Sequence, residues 1–125
     1  METAKYITAW KKRFSEKAKS LKVEREKIIS MLPGAVTLLK KGFHIERVYL
    51  FGSLMKDTFN LSSDIDIAVK GLYFRDYPKA LSLLWDYFGR EVNLVPLELA
   101  SPSLTSVIMK EGRLLYERKQ ITKVP

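Results

Sequence analysis

The sequence predicts an α+β domain: a mixed sheet of about four strands, helices packed chiefly on one side, and an amphipathic helix at the N-terminus. Two observations carry most of this. Val48-Tyr49-Leu50-Phe51 and Ile65-Asp66-Ile67-Ala68-Val69 are apolar, β-branched or aromatic runs with a polar segment between them. That segment is too short for a full crossover helix, yet strand-like and helical patterns alternate afterwards. A mixed sheet therefore fits better than a doubly wound one.

From Thr3 to about Met31, Ile7, Trp10, Phe14, Ala18, Leu21, Ile28 and Ile29 recur at largely helical spacing. Lysines, Glu24 and Glu26 fill the other face. This stripe has to cover the rest of the domain, a second copy of the chain, or a partner. Leu32-Pro33-Gly34 is expected to interrupt the helix, because proline lacks the amide hydrogen that an intrahelical bond needs. A second, shorter helix is expected from Ala35 to Lys41, stopped by Gly42. His44 reads as an ordinary loop residue. The first strand is expected over Ile45–Phe51 and the second over Ile65–Lys70. Tyr73 and Phe74, in the loop after Gly71, are expected to pack under the next helix, with stacking on a nucleobase as the weaker reading.

Asp76 reads as the cap of that helix, which directs Leu81, Leu84, Trp85 and Phe88 to one face and ends at Gly89. Glu91–Val95 reads as a third strand closed by Pro96. Ser101-Pro102 is a strong helix start, with serine as cap and proline in the first turn. Leu104, Val107 and Ile108 should point inward from this helix, and Gly112 should end it. A last strand is expected over Arg113–Tyr116. The expected organisation is one domain over 1–125: an N-terminal helix (1–31), a core (32–118) and a polar tail (119–125) that frays.

A chain of 125 residues with 46% hydrophobic and 29% charged residues suits one globular domain with a sizeable core. No apolar run approaches the roughly 18 residues that cross a bilayer, and METAKYITAWKKRF lacks a signal-peptide core. Cysteine is absent, which excludes disulfides and thiolate metal sites. A cytoplasmic address and no membrane partner follow by default. The net charge of +8 is uneven: residues 1–30 hold nine Lys/Arg against four Glu. A solvated helix face explains that bias better than nucleic-acid binding, which stays the weaker reading.

The chemistry gathers between Val48 and Lys70. Asp64 and Asp66 stand at i and i+2 of a strand and project to one face. Two carboxylates so placed repel each other, and a hard divalent cation between them relieves the repulsion while leaving positions for phosphate. Gly52-Ser53 closes the first strand and reads as a tight turn into a short helix. Free amide groups and the positive end of a helix dipole would favour phosphate there, with the Ser53 hydroxyl as a further donor. Phosphate cradle plus paired carboxylates suits metal-assisted phosphoryl or nucleotidyl transfer.

Gly52-Ser53, a gap, and Ser63-Asp64-Ile65-Asp66 resemble the signature of the DNA polymerase β-like nucleotidyltransferase superfamily, and more narrowly its minimal nucleotidyltransferases, the MNT-type domains. Lys56 stands where the second basic residue of that pattern falls, and EVNLVPLELASPSL and EGRLLYER resemble the later strands and helix. The resemblance spans roughly Met31 to Arg118. It implies a polymerase β-like core, Asp64 and Asp66 as catalytic and metal-binding residues, and Gly52, Ser53, Lys56 and Ser63 around the nucleotide phosphates. Mg²⁺ or Mn²⁺ is the implied cofactor and an NTP, ATP first, the substrate. It further implies transfer of a nucleoside monophosphate, AMP by expectation, to a hydroxyl of a macromolecular acceptor. The expected partner is a small helical HEPN-type protein in a toxin–antitoxin pair.

One position departs from the family's pattern. Asn93 stands where a third carboxylate is expected, and an uncharged amide cannot take a proton at neutral pH. Three outcomes are open: nucleotide binding without turnover, slow turnover with solvent or substrate as base, or Glu91 as the substitute base. The alternative function is therefore a catalytically impaired, nucleotide-binding antitoxin or interaction module that acts by complex formation.

Overall fold

Four strands form one mixed sheet in the order β3-β2-β1-β4. The computed structural model of the chain describes residues 2–56, 59 and 63–119, without the side chains of residues 2–10 and 14. Helix α1 (Glu2–Gly42) leads into β1 (Arg47–Phe51), a 3₁₀ turn (Gly52–Met55) and β2 (Ile65–Lys70). A second 3₁₀ turn (Phe74–Asp76), α2 (Tyr77–Phe88), β3 (Val92–Pro96), a third 3₁₀ turn (Leu97–Leu99), α3 (Pro102–Glu111) and β4 (Arg113–Glu117) follow. Strand β1 is antiparallel to β2 and β4, and α2 carries the chain across so that β3 lies parallel to β2.

Alternation along the strands divides the core. Val48, Leu50, Ile65, Ile67, Val92 and Leu94 face one side, where α1 and α2 cover them with Leu32, Leu39, Ala80 and Leu84. The other side carries Tyr49, Phe51 and Ala68, buried under Ile108 of α3. Helix α3 spans ten residues and reaches only part of this face. Asp64 and Asn93 remain exposed on it, with Asp66 part-buried between them.

The expected break at Leu32-Pro33-Gly34 does not occur: α1 is continuous through Pro33. Ile28, Leu32, Ala35, Val36 and Leu39 form one buried stripe across that point, while Pro33 lies on the exposed face. Proline costs about 3 kcal/mol in a helix interior. Burying a large aliphatic side chain is worth about 1.5–3 kcal/mol, and the stripe buries several. Packing wins. Two side-chain bonds also tie the local carbonyls: Tyr87 Oη donates to Met31 O (3.0 Å) and Thr37 Oγ1 to Pro33 O (3.0 Å). Pro33→Ala should therefore raise stability by about 2 kcal/mol, the helix cost less the entropy that proline removes from the unfolded chain. Thermal unfolding reads this, and an unchanged or lower Tm refutes it.

Other expectations shift at the edges. Strand β1 starts at Arg47 rather than Ile45, and Glu91 precedes β3, although its carbonyl accepts from Ile65 N (3.2 Å). Asp76 makes no side-chain cap bond, because the 3₁₀ turn runs directly into α2. Ser101 does cap α3, accepting from Leu104 N (3.2 Å). Ile108 points inward but Val107 is 44% exposed, so the buried stripe of α3 is narrower than expected. The loop aromatics do not pack under α2: Tyr73 stacks on His44 at 4.8 Å, and Phe74 is 78% exposed. His44 is held by Gly71 O (2.6 Å), in keeping with a plain loop role. The tail from Gln120 to Pro125 and the side chains of Ile7, Trp10 and Phe14 lie outside the described residues.

Candidate functional site

The ends of three strands bring the site together. Phe51, Asp66 and Asn93 lie abreast across β1, β2 and β3. Strand alternation puts Asp64 and Asp66, and likewise Glu91 and Asn93, on the face that α3 leaves partly open. Strand β1 stays extended to Phe51 (φ −144°), then Gly52 turns with φ +80° into the 3₁₀ segment. A Cβ on Gly52 would sit 2.0 Å from Asp66 Oδ2 and 2.8 Å from its Cγ. Only glycine lets the turn's backbone lie against that carboxylate.

Asn93 Nδ2 donates to Asp66 Oδ1 at 3.2 Å. Burial pushes the Asp66 carboxyl above its ordinary range; the Asn93 amide pulls it back, and neighbouring Asp64 adds to the rise. Among the described residues, neither aspartate forms an ion pair with Lys or Arg. Among the described residues, the fold brings no protein cation to neutralise the pair.

The remaining predicted residues surround this pair unevenly. Ser53 lies in the turn, its carbonyl accepting from Lys56 N (3.0 Å). Lys56 Nζ is 3.1 Å from Glu111 Oε2 at the end of α3, an exposed pair of small energetic weight. Lys56 would have to leave Glu111 to meet a phosphate. Ser63 O accepts from Arg90 Nη2 (3.1 Å), and Glu91 is exposed. The expected short helix after Gly52-Ser53 is a single 3₁₀ turn of four residues. Its dipole is correspondingly small, so a helix terminus adds little to any attraction for phosphate there.

Three contacting residues escaped the sequence reading. Arg25 Nε donates to Leu54 O (3.0 Å) in the turn, and Arg90 Nη1 lies 3.4 Å from Glu24 Oε1. Nothing local in the sequence announces these contacts, since each joins elements far apart in the chain.

Residues 35–121 match the family model described as polymerase β, nucleotidyltransferase. The chain belongs to the polymerase β nucleotidyltransferase family. Comparison with curated proteins gave no match. Among solved structures, this nucleotidyltransferase domain is similar to a chain of a mutant MntA-HpeT toxin–antitoxin crystal structure, with 27% identity and a TM-score of 0.60 over 70% of this chain and 72% of that one. It is similar to a toxin–antitoxin structure with AMP-PNP, with 28% identity and a TM-score of 0.56 over 76% and 74% of the two chains. A candidate minimal nucleotidyltransferase shares its fold at 20% identity, TM-score 0.62, over 71% and 93%. The minimal nucleotidyltransferase resemblance and the polymerase β-like α+β fold therefore stand. The family match begins inside α1, so residues 1–34 lie outside it.

The nucleotidyltransferase's donor set fits a hard divalent cation. Asp64 and Asp66 offer carboxylate oxygens from one strand face, and burial, with a smaller contribution from Asp64, raises the Asp66 pKa, a cost to its charged form that a cation would relieve. The fit rests on two carboxylates: no cluster of three His, Cys, Asp or Glu residues occurs among the described residues. The Asn93 amide could add its oxygen only by turning its NH₂ group away from Asp66.

Proposed function

We propose that this nucleotidyltransferase domain transfers a nucleoside monophosphate, AMP first among the candidates, from an NTP to a hydroxyl of a small helical HEPN-type partner. The observation that carries this reading is the close seating of the Gly52 turn against Asp66 beside Asp64. Family membership and the likeness to toxin–antitoxin structures, one with AMP-PNP, support it.

In this reading the acceptor oxygen attacks the α-phosphorus, the bond to the β-phosphate oxygen breaks, and pyrophosphate leaves. Asp64 and Asp66 would hold Mg²⁺ or Mn²⁺, which when bound supplies charge neutralisation at the phosphates. The Gly52-Ser53 turn lets phosphate approach the backbone, and Ser53, Ser63 and Lys56 are the nearby polar groups for it. Asn93 keeps the Asp66 carboxylate oriented through its 3.2 Å hydrogen bond but takes no proton. The acceptor's proton passes to solvent, to the substrate, or to exposed Glu91.

Asn93 also favours a second reading: the domain binds nucleotide and partner but turns over little, acting as an antitoxin by complex formation. Titration with ATP, with and without Mg²⁺, followed by a pyrophosphate assay with the partner present, separates the two. Metal-dependent binding with pyrophosphate release supports the enzyme, and binding without release supports the second reading. Absence of metal-dependent binding refutes both.

The paired substitution Asp64→Asn with Asp66→Asn should abolish Mg²⁺-dependent ATP binding while leaving Tm the same or slightly higher. The raised Asp66 pKa means that the fold disfavours its ionised form, so a neutral amide relieves a cost at pH 7. With Asp66 only part-buried, solvent screening keeps that gain small. Unchanged metal-dependent affinity in the double variant refutes the assignment.

A further inference from the structure

We propose that Arg25 and Arg90 are positioning residues that fasten both lips of the site to α1. This rests on the nucleotide-binding reading above. On one lip, Arg25 of α1 donates from Nε to Leu54 O at 3.0 Å, inside the turn that begins with Gly52. On the other, Arg90 donates from Nη2 to Ser63 O at 3.1 Å, one residue before Asp64. The Arg90 guanidinium also lies 3.4 Å from Glu24 Oε1 on α1 and 5.6 Å from the ring centre of buried Phe59. Glu24 and Arg25 are consecutive, so one turn of α1 reaches both strand ends that present the site.

Both α1 residues precede the family-matched segment 35–121. The fastening therefore comes from a part of the helix outside the shared core. Its consequence is geometric: the turn has no long helix behind it, and beside the core packing of Leu54 the Arg25 bond gives its backbone a second fixed point. That bond spans 29 positions of sequence.

Glutamine separates positioning from charge. Its Nε2 stands the same number of bonds from the backbone as arginine Nε, so Arg25→Gln keeps the donor to Leu54 O and loses the charge. Arg25→Met keeps an apolar stem and loses the donor. In the full chain, Arg25→Met is expected to weaken Mg²⁺-ATP affinity about tenfold, the scale of one lost bond. It should also speed hydrogen exchange of the Lys56 amide, which is bonded to Ser53 O at 3.0 Å, and not of the Gly89 amide, bonded to Trp85 O at 2.9 Å. Arg25→Gln is expected to keep affinity and exchange near the parent's.

Equal loss in the Gln and Met variants would show that Arg25 acts by charge and would overturn the proposal. So would faster exchange at Lys56 and Gly89 alike, which is global destabilisation. Arg90→Met should weaken Mg²⁺-ATP binding by a similar factor, and unchanged affinity there removes Arg90 from the fastening. Failure of the parent to bind Mg²⁺-ATP refutes the nucleotide reading alone, because the exchange comparison still decides whether Arg25 holds the turn.

Discussion

Asn93→Asp is expected to raise nucleoside monophosphate transfer at least tenfold, measured as pyrophosphate release with the native acceptor present. The two side chains are nearly isosteric, and position 93 lies abreast of Asp66 with its amide already 3.2 Å from Asp66 Oδ1. The substitution therefore sets a third carboxylate beside the existing pair without rebuilding the strand. General-base catalysis is typically worth about 10²–10⁴-fold, and stronger metal binding adds to it.

The same change carries a cost that can be read separately. Without a cation, the new carboxylate loses the hydrogen bond that the amide gives Asp66 and adds a like charge beside it. Tm should fall in chelator and recover on adding Mg²⁺, by a larger increment than in the parent. In the parent, Glu91→Gln should change the rate little. If the parent already matches the Asn93→Asp variant and Glu91→Gln abolishes transfer, Glu91 is the working base and this assignment fails.

Gly52→Ala is expected to remove Mg²⁺-ATP binding, by 100-fold or more, and to lower Tm. Two effects add at this position. With φ at +80°, an L side chain costs roughly 1–2 kcal/mol in backbone strain alone. The added methyl also meets Asp66 Oδ2 at 2.0 Å, so the carboxylate has to move away from the turn. About 1.4 kcal/mol corresponds to each factor of ten, so displacing one metal ligand and the phosphate cradle together accounts for the expected loss.

Gly89 provides the control. It also has positive φ (+64°), at the end of α2, but nothing lies within 4 Å of its would-be Cβ. Gly89→Ala should show the backbone strain in Tm and keep nucleotide affinity. Parent-like binding by Gly52→Ala would show that the glycine seat against Asp66 has no part in the nucleotide site.

Much of this protein is written locally. Val48–Phe51 and Ile65–Lys70 form strands because β-branched and aromatic residues alternate or run together there, and the gap between them is too short for a crossover. The spacing from Gly52-Ser53 to Asp64 was legible through the family resemblance, although the seat of Gly52 against Asp66 was not, and Ser101-Pro102 and Gly112 bound α3 as cap and stop chemistry requires. The departure at Asn93 was visible in the sequence only through the family resemblance, which implies a carboxylate at that place in the third strand.

Where elements meet, local rules gave way. Proline 33 reads as a break, but a stripe from Ile28 to Leu39 buries more free energy against the sheet than the missing hydrogen bond costs. Val107 and Tyr73 carry apolar surface that predicts burial, yet Val107 lies beside rather than on the buried line of α3 through Ile108, and Tyr73 stacks on His44 instead of under α2. The contacts of Arg25 with Leu54 and of Arg90 with Ser63 have no local signature, because an arginine on a helix face looks the same whether it meets water or a distant carbonyl. Sequence alone determined the strands, the Ser101 cap of α3 and the residue types that gather at the site, since these depend on neighbours in the chain, whereas the cap expected of Asp76 did not form. Only the tertiary structure decided the path of α1 and its hold on the site, since those depend on surfaces brought together from residues tens of positions apart.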